Sequence, residues 1–288
     1  MPRTTHVAVI LHILRNQPFG EIILKGIRDV LDERPSCEVE VFDPQGRAEE
    51  QVRALEHLKS GLDGLIVSPL DASVGPLLKT LRASGVRVVA VDNDIGDPDA
   101  QDALVMADNH SIGATLGLFM KEVMEGVGDI VEIRGIDGCP CHDRAAGFRR
   151  AISDQPRMRI IESCAGDWYY DLARESFASV LERHPHIDAV FAQNDEMARG
   201  ALDAAAAVSR EEALLVTGVD AVPGAFGIKL ISRGRLAASC LNPPSGKQAA
   251  LALLAALDGE PFQARTLLPT SILRSNDRIQ SWQARRRR

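Results

Sequence analysis

GLIVSPLDASVGPLLKTLRASGVRVVAVDND, residues 64–94, holds one complete repeat of the architecture. Gly64–Val67 is a short apolar run that stops at Ser68-Pro69. Ser73–Ala83 spaces its leucines for one helical face, and Val86–Val91 is a second apolar run that stops at Asp92. Continuous apolar runs of this length predict strands covered on both faces, and strand–helix–strand with short loops predicts a parallel crossover. The same rhythm extends upstream. His6–Leu11 reads as a strand, Phe19–Asp32 as a helix with Ile22, Ile23, Ile27, Val30 and Leu31, Cys37–Phe42 as a strand and Ala48–Lys59 as a helix. The result is a βαβαβαβ series, the signature of a doubly wound parallel α/β sheet.

Downstream the series begins again. Strands are expected at Ala103–Ala107, Asp129–Ile133, Met158–Cys164, Ala189–Ala192, Leu214–Val219, Leu236–Leu241 and Leu267–Leu273. Helices are expected at Ser111–Met124, Asp143–Ser153, Asp171–Glu182, Glu196–Ala207, near Pro223–Ser232 and at Ser245–Leu257; Ile279–Arg288 reads as a trailing basic tail. About a dozen strands exceed one ordinary sheet. Two sheets in two lobes with short, direct crossings are expected.

The chain has 288 residues with 33 basic and 40 acidic side chains, a formal charge of −7. That balance argues against a nucleic-acid partner, which calls for a basic field. No apolar run approaches the ~18 residues of a membrane span. The apolar stretch Val7–Leu14 is broken by His12 and lacks a small-residue cleavage site, so no signal peptide is read here, which leaves open a cytosolic protein or one whose targeting segment has been removed. The five cysteines (37, 139, 141, 164, 240) are odd in number, and Cys139-Pro140-Cys141 fits neither redox nor zinc spacing. They are expected to be unpaired thiols.

Ligands of parallel sheets bind beyond the carboxyl ends of the strands. Those ends carry His12, Asn16 and Gln17; Ser68 and Asp71; Asp92, Asn93 and Asp94; Asp108 and Asn109; Gly135–Gly138; Gln193, Asn194 and Asp195; Asp220; and Asn242. Amides and carboxylates of this kind can satisfy several hydroxyl groups at once, as a buried polyol requires. Asp and Asn in such places also cap helices and shape turns, and both roles are open at this point.

The segments AVFAQNDEMARGAL (189–202) and VTGVDAVPGA (216–225) resemble the type 1 periplasmic sugar-binding proteins, ribose-binding proteins above all. DGLIVSPLD (63–71), VRVVAVDND (86–94), MADNHSIGATLG (106–117) and VEIRGIDG with DRAAGF (131–148) follow the same pattern in order, and the resemblance spans about residues 6–273. It implies two doubly wound lobes joined by three crossings, residues 1–107 with 243–269 and residues 108–242 with 270–288. It also implies one small ligand, a monosaccharide, in the cleft between them. Ligand-contact positions implied for the first lobe are His12, Gln17, Phe19, Gly20, Ser68, Asp92 and Asn93. Those for the second lobe and the crossings are Arg144, Trp168, Asn194, Asp220 and Asn242. Phe19 and Trp168 would offer apolar faces to a sugar ring, and Arg144 a rigid fork of donors.

Four departures from the ribose-binding pattern point to a different polyol. Phe19-Gly20 stands for two phenylalanines, Asn93 for an arginine, His12 for a small hydroxyl residue and Val219 for an aromatic. No cofactor, metal or catalytic group is expected. A dinucleotide site would need G-x-G-x-x-G where Leu14–Phe19 stands. The seven histidines show no nucleophile–base pairing, and the Asp92–Asp102 cluster has Asp97 where a calcium loop needs glycine. The family resemblance implies a periplasmic location and either a membrane permease or a signalling domain as partner. A kinase sensor domain and a repressor core without its DNA-binding arm are the alternatives.

Overall fold

The computed structural model of the chain describes residues 3–12, 18–58 and 61–287. In chain order the elements are β1 (Thr5–Ile10), α1 (Pro18–Leu31), β2 (Cys37–Phe42), α2 (Ala48–Glu56), β3 (Gly64–Val67), α3 (Gly75–Ala83), β4 (Arg87–Val91) and β5 (Ala103–Ala107). Then come α4 (Asn109–Val123), β6 (Val127–Arg134), α5 (Cys139–Ile152), β7 (Arg157–Ala165), α6 (Tyr170–Arg183), β8 (Ala189–Ala192), α7 (Asp195–Ala207), β9 (Leu215–Asp220), α8 (Phe226–Ser232) and β10 (Ala238–Leu241). The last are α9 (Gly246–Asp258), β11 (Arg265–Leu268), β12 (Ile272–Arg274) and α10 (Asn276–Arg286).

The chain forms two compact units, residues 1–107 with 244–269 and residues 108–243 with 270–288. It therefore passes from one unit to the other three times. The first unit holds a sheet of order β11-β5-β4-β3-β1-β2, parallel throughout. The second holds β12-β10-β9-β8-β6-β7, parallel except for β12 at one edge.

The alternation of strand side chains sorts the first core into two layers. Val7, Val9 and Leu11 join Ile66, Val89 and Val91 under α1 and α9, against Ile23, Ile27 and Leu253. Ala8 and Ile10 join Leu65, Val67 and Val88 under α2 and α3, against Leu55 and Leu78. Strands β3, β5 and β8 are buried along their whole length, which is why they read as unbroken apolar runs. In the second unit Val131, Ile133, Val190 and Ala192 face Phe177, Met197 and Ala201. Phe191 points the other way and stacks on Phe148 of α5, centroids 4.2 Å apart.

Helices α4 and α5 pack backbone against backbone. A Cβ at Gly113 would lie 1.9 Å from the Arg144 carbonyl oxygen, and one at Gly147 would lie 2.0 Å from the His110 carbonyl oxygen. Both glycines are needed for the approach, not for a turn.

Three expectations are corrected. Leu267–Leu273 is not one strand: Leu268 pairs with Ala107 in the first sheet, and Ile272 pairs with Cys240 in the second. Pro269, which has no N–H to give a ladder, lies between them. Residues 276–286 form a docked helix, not a trailing tail. Arg278 is buried and donates to the Glu211 and Leu214 carbonyls, and Trp282 Nε1 donates to the Ala213 carbonyl at 2.9 Å. Arg278, Arg285 and Arg287 pair with Glu212, Glu212 and Glu125, so the basic charge is neutralised locally. Helix α5 also starts earlier than Asp143, at Cys139, with Pro140 in its first turn. No disulfide joins any of the five cysteines, all of which lie among the described residues.

Candidate functional site

Each sheet has one place where successive crossovers leave in opposite directions. In the first it lies between β1 and β3, in the second between β6 and β8. There the loops diverge and leave a crevice at the carboxyl ends of the strands.

In the first unit His12 follows β1 and Ser68 follows β3, and His12 Nδ1 lies 2.7 Å from Ser68 Oγ. Burial holds the His12 imidazole below its ordinary range, against the opposing pull of the Asp92 and Asp43 carboxylates. A neutral ring keeps one donor and one acceptor nitrogen. Asp92 follows β4 in the left-handed region, φ 62°. Among the described residues its carboxylate has no hydrogen-bond partner, and only its backbone N–H is tied, to the Val105 carbonyl. Asn93 Nδ2 donates to the Pro69 carbonyl at 2.5 Å, while its Oδ1 is buried without a partner. Phe19 and Gly20 sit in the first turn of α1. Phe19 is half-buried against the core layer beneath α1, and Gly20 is buried. Gln17 lies outside the described residues.

In the second unit Arg144 reaches from α5. Its Nη1 donates to the Gln193 carbonyl at 2.5 Å and its Nε to Asn109 Oδ1 at 2.9 Å. Its guanidinium carbon lies 5.4 Å from the centroid of the Trp168 ring. Asp167 and Trp168 are consecutive left-handed residues, φ 47° and 71°. The indole lies over Gly135, where a Cβ would come within 2.1 Å of the ring. Asn194 caps α7, accepting from Met197 N–H at 2.8 Å, and donates to the Trp168 carbonyl at 3.1 Å. Its amide is thus engaged at both ends. Asp220 ends β9 with φ 127°, and Asn242 Nδ2 donates to its Oδ1 at 3.3 Å. Asn242 Oδ1 is buried and has no partner among the described residues.

The structure therefore gathers His12, Ser68, Asp92 and Asn93 at the tips of β1, β3 and β4. In the second unit it gathers Arg144, Trp168 and Asn194 in one group and Asp220 with Asn242 in another. Other tip carboxylates serve local structure: Asp71 and Asp108 accept from the N–H groups of Ser73 and Ser111, and Asp94 accepts from Gly96 N–H and pairs with Arg265.

Two further residues support the site, Gln51 outside any motif and Gln193 within the quoted 189–202 segment. Gln51, buried in α2, donates to the Ser68 carbonyl and accepts from Leu70 N–H, both at 2.8 Å. Gln193 accepts from Gly135 N–H at 3.2 Å and donates to Glu132 and to the Cys141 carbonyl. The first fixes the loop behind Ser68, the second joins the loops after β6 and β8. A buried glutamine inside a polar helix has no sequence signal; Gln193 is at least visible as a strand-tip residue.

No group of three or more His, Cys, Asp or Glu among the described residues could hold a metal ion. The set is one of hydrogen-bonding groups of both senses beside aromatic faces.

The sequence profile of the periplasmic binding protein domain matches residues 7–261. The chain belongs to that family. Relatives of this periplasmic binding protein include the ribose import binding protein of Bacillus subtilis (strain 168), 29% identical over 262 residues, covering 89% of this chain and 83% of that one. The D-allose-binding periplasmic protein of Escherichia coli (strain K12) is 28% identical over 252 residues, covering 83% and 79%. Among solved structures, the fructose-binding periplasmic domain of a hybrid two-component system superposes with a TM-score of 0.90. It is 27% identical and covers 98% of this chain and 94% of that one. The family and these relatives are ligand-binding proteins by description, and their names place them in the periplasm or in import. Among the described residues no helix is long and apolar enough to cross a membrane.

Proposed function

We propose that the chain binds a monosaccharide or a sugar derivative, without transforming it, through the strand tips of both units. The observation that carries this reading is a pair of buried acceptors that have no partner among the described residues, Asn93 Oδ1 and Asn242 Oδ1. Each stands beside a carboxylate, Asp92 or Asp220, held at positive φ. A buried acceptor left unpaired costs about 1–3 kcal/mol, and a ligand hydroxyl that donates to it removes that cost. His12, Ser68 and Arg144 add donors, and Trp168 adds an apolar face for ring C–H groups. The twelve ligand contacts inferred from the sequence, Gln17 included, belong to this proposal, as do closure of the units around the ligand and a periplasmic location.

The ligand of the ribose and allose relatives is a guide to class rather than identity. Asn93 stands where ribose binders carry arginine, and its short amide turns to the Pro69 carbonyl. The site loses a long cationic donor and gains an acceptor, which favours a ligand richer in hydroxyl donors. Ser68 Oγ stands 2.7 Å from His12 Nδ1, a hydroxyl beside an imidazole, but the family and the relatives named are ligand-binding proteins by description, so the ligand is expected to leave unchanged.

A thermal-shift panel of pentoses, hexoses, polyols and their phosphates tests this. The cognate ligand should raise the melting temperature, with stabilisation of about 2.7 kcal/mol at 100 times Kd. Silence across the panel would remove carbohydrates as the class, and NMR evidence of ligand turnover would remove the non-enzymatic reading. The partner is a membrane permease or a signalling domain. The likeness to a two-component sensor domain supports the second reading as well as the first, and the complete gene with its neighbours separates them.

A further inference from the structure

Asp195 is the first residue of α7, yet its side chain turns inward and is 1% exposed. Its Oδ2 accepts from Ala221 N–H at 2.9 Å, and its Oδ1 lies 2.7 Å from Ser239 Oγ. The space around it is cut to fit. A Cβ at Gly218 would lie 2.1 Å from Oδ1, and one at Gly227 would lie 1.8 Å from Oδ2. The residue it grips, Ala221, follows Asp220, and both are in the left-handed half of backbone space, φ 45° and 127°. Non-glycine residues stay there only when their surroundings hold them.

We propose that Asp195 is a positioning residue for the sugar site: its carboxyl clamps the Asp220–Ala221 turn and so aims the Asp220 carboxylate. This rests on the sugar-binding reading of Asp220. The charged groups that face Asp195 are Asp220 from β9 and Glu196 from α7, with the Cys240 thiol on β10. None is a cation. Burial and the Asp220 charge push its carboxyl well above the usual range, in the direction of the neutral acid. A neutral acid offers one oxygen to Ala221 and shares a proton with Ser239. An asparagine amide can do the same.

The test is isothermal titration of the intact protein, Asp195→Asn and Asp195→Ala with D-ribose, D-allose, D-fructose and xylitol at neutral pH. Melting temperatures of the unliganded proteins are measured alongside. Asp195→Asn should hold the affinity for the parent's best sugar within about twofold, while Asp195→Ala should lose about tenfold or more. Parental affinity in Asp195→Ala, whatever its melting temperature, overturns the proposal. So does a loss in Asp195→Asn as large as in Asp195→Ala. If the parent binds none of the four sugars, the wider panel decides the sugar reading, and the clamp is read separately from the unliganded parent. The Ala221 amide, which Asp195 Oδ2 holds at 2.9 Å, should be protected from exchange. An Ala221 amide that exchanges like the open loop beside it overturns the proposal without any variant having to fold.

Discussion

His12 shows how a single side chain at a strand tip acquires its state from its surroundings. Burial depresses its pKa despite two nearby carboxylates. A depressed histidine adds stability that is present above its unfolded value, about 6.5, and is lost as pH falls through the folded value. The melting temperature should therefore drop more steeply below about pH 6.5 in the parent than in His12→Asn, whose amide stays neutral. Differential scanning calorimetry across that range checks it, and equal slopes would show that the imidazole is already open to protonation. His12, Ser68, Asp92, Asp220 and Asn242 were legible because parallel strands place their successors at one edge. Gln51 was not, since nothing local distinguishes a glutamine that clamps a loop from one that faces water. Asp195 and Asn194 were adjacent tip residues of the same chemical type. Only the fold shows that one turns inward while the other caps a helix.

At the scale of elements, close packing decides where functional side chains stand. Arg144 belongs to the α4–α5 contact, where Gly113 leaves no room for a side chain. Gly113→Val should separate the helices at a cost of about 1–3 kcal/mol or more, and should weaken sugar binding as Arg144 moves. Unfolding by denaturant and titration together check this, and an unchanged midpoint would mean that the helix contact yields freely. Helix α10 was illegible for a related reason. Its apolar positions are few, and arginine stems and one indole do the packing, a pattern that composition reports as a charged tail. Trp282 is 2% exposed, so Trp282→Ala should cost about 3–5 kcal/mol. A loss below about 1 kcal/mol would show that α10 is only lightly held. The joined reading of Leu267–Leu273 failed because apolar periodicity cannot tell one strand from two that enter different sheets. The long apolar runs, by contrast, were read correctly as covered strands, since burial on both faces leaves no polar alternation.

The whole molecule repeats one order of strands twice, and the repeat places equivalent groups at equivalent tips. Asp92 follows the fourth strand of the first unit, and Asp220 ends the corresponding strand of the second, each at positive φ. Under the proposed function, one such tip in each unit contributes to the affinity for one ligand. A hydrogen bond to a charged acceptor contributes about 1.5–3 kcal/mol. Isothermal titration of the best panel sugar into the parent, Asp92→Asn and Asp220→Asn puts that claim to its most direct test. One site per chain is expected, with affinity lower by about 10- to 100-fold in each variant and little change in unliganded melting temperature. Full affinity in either variant would contradict it, because a single ligand would then depend on one unit alone.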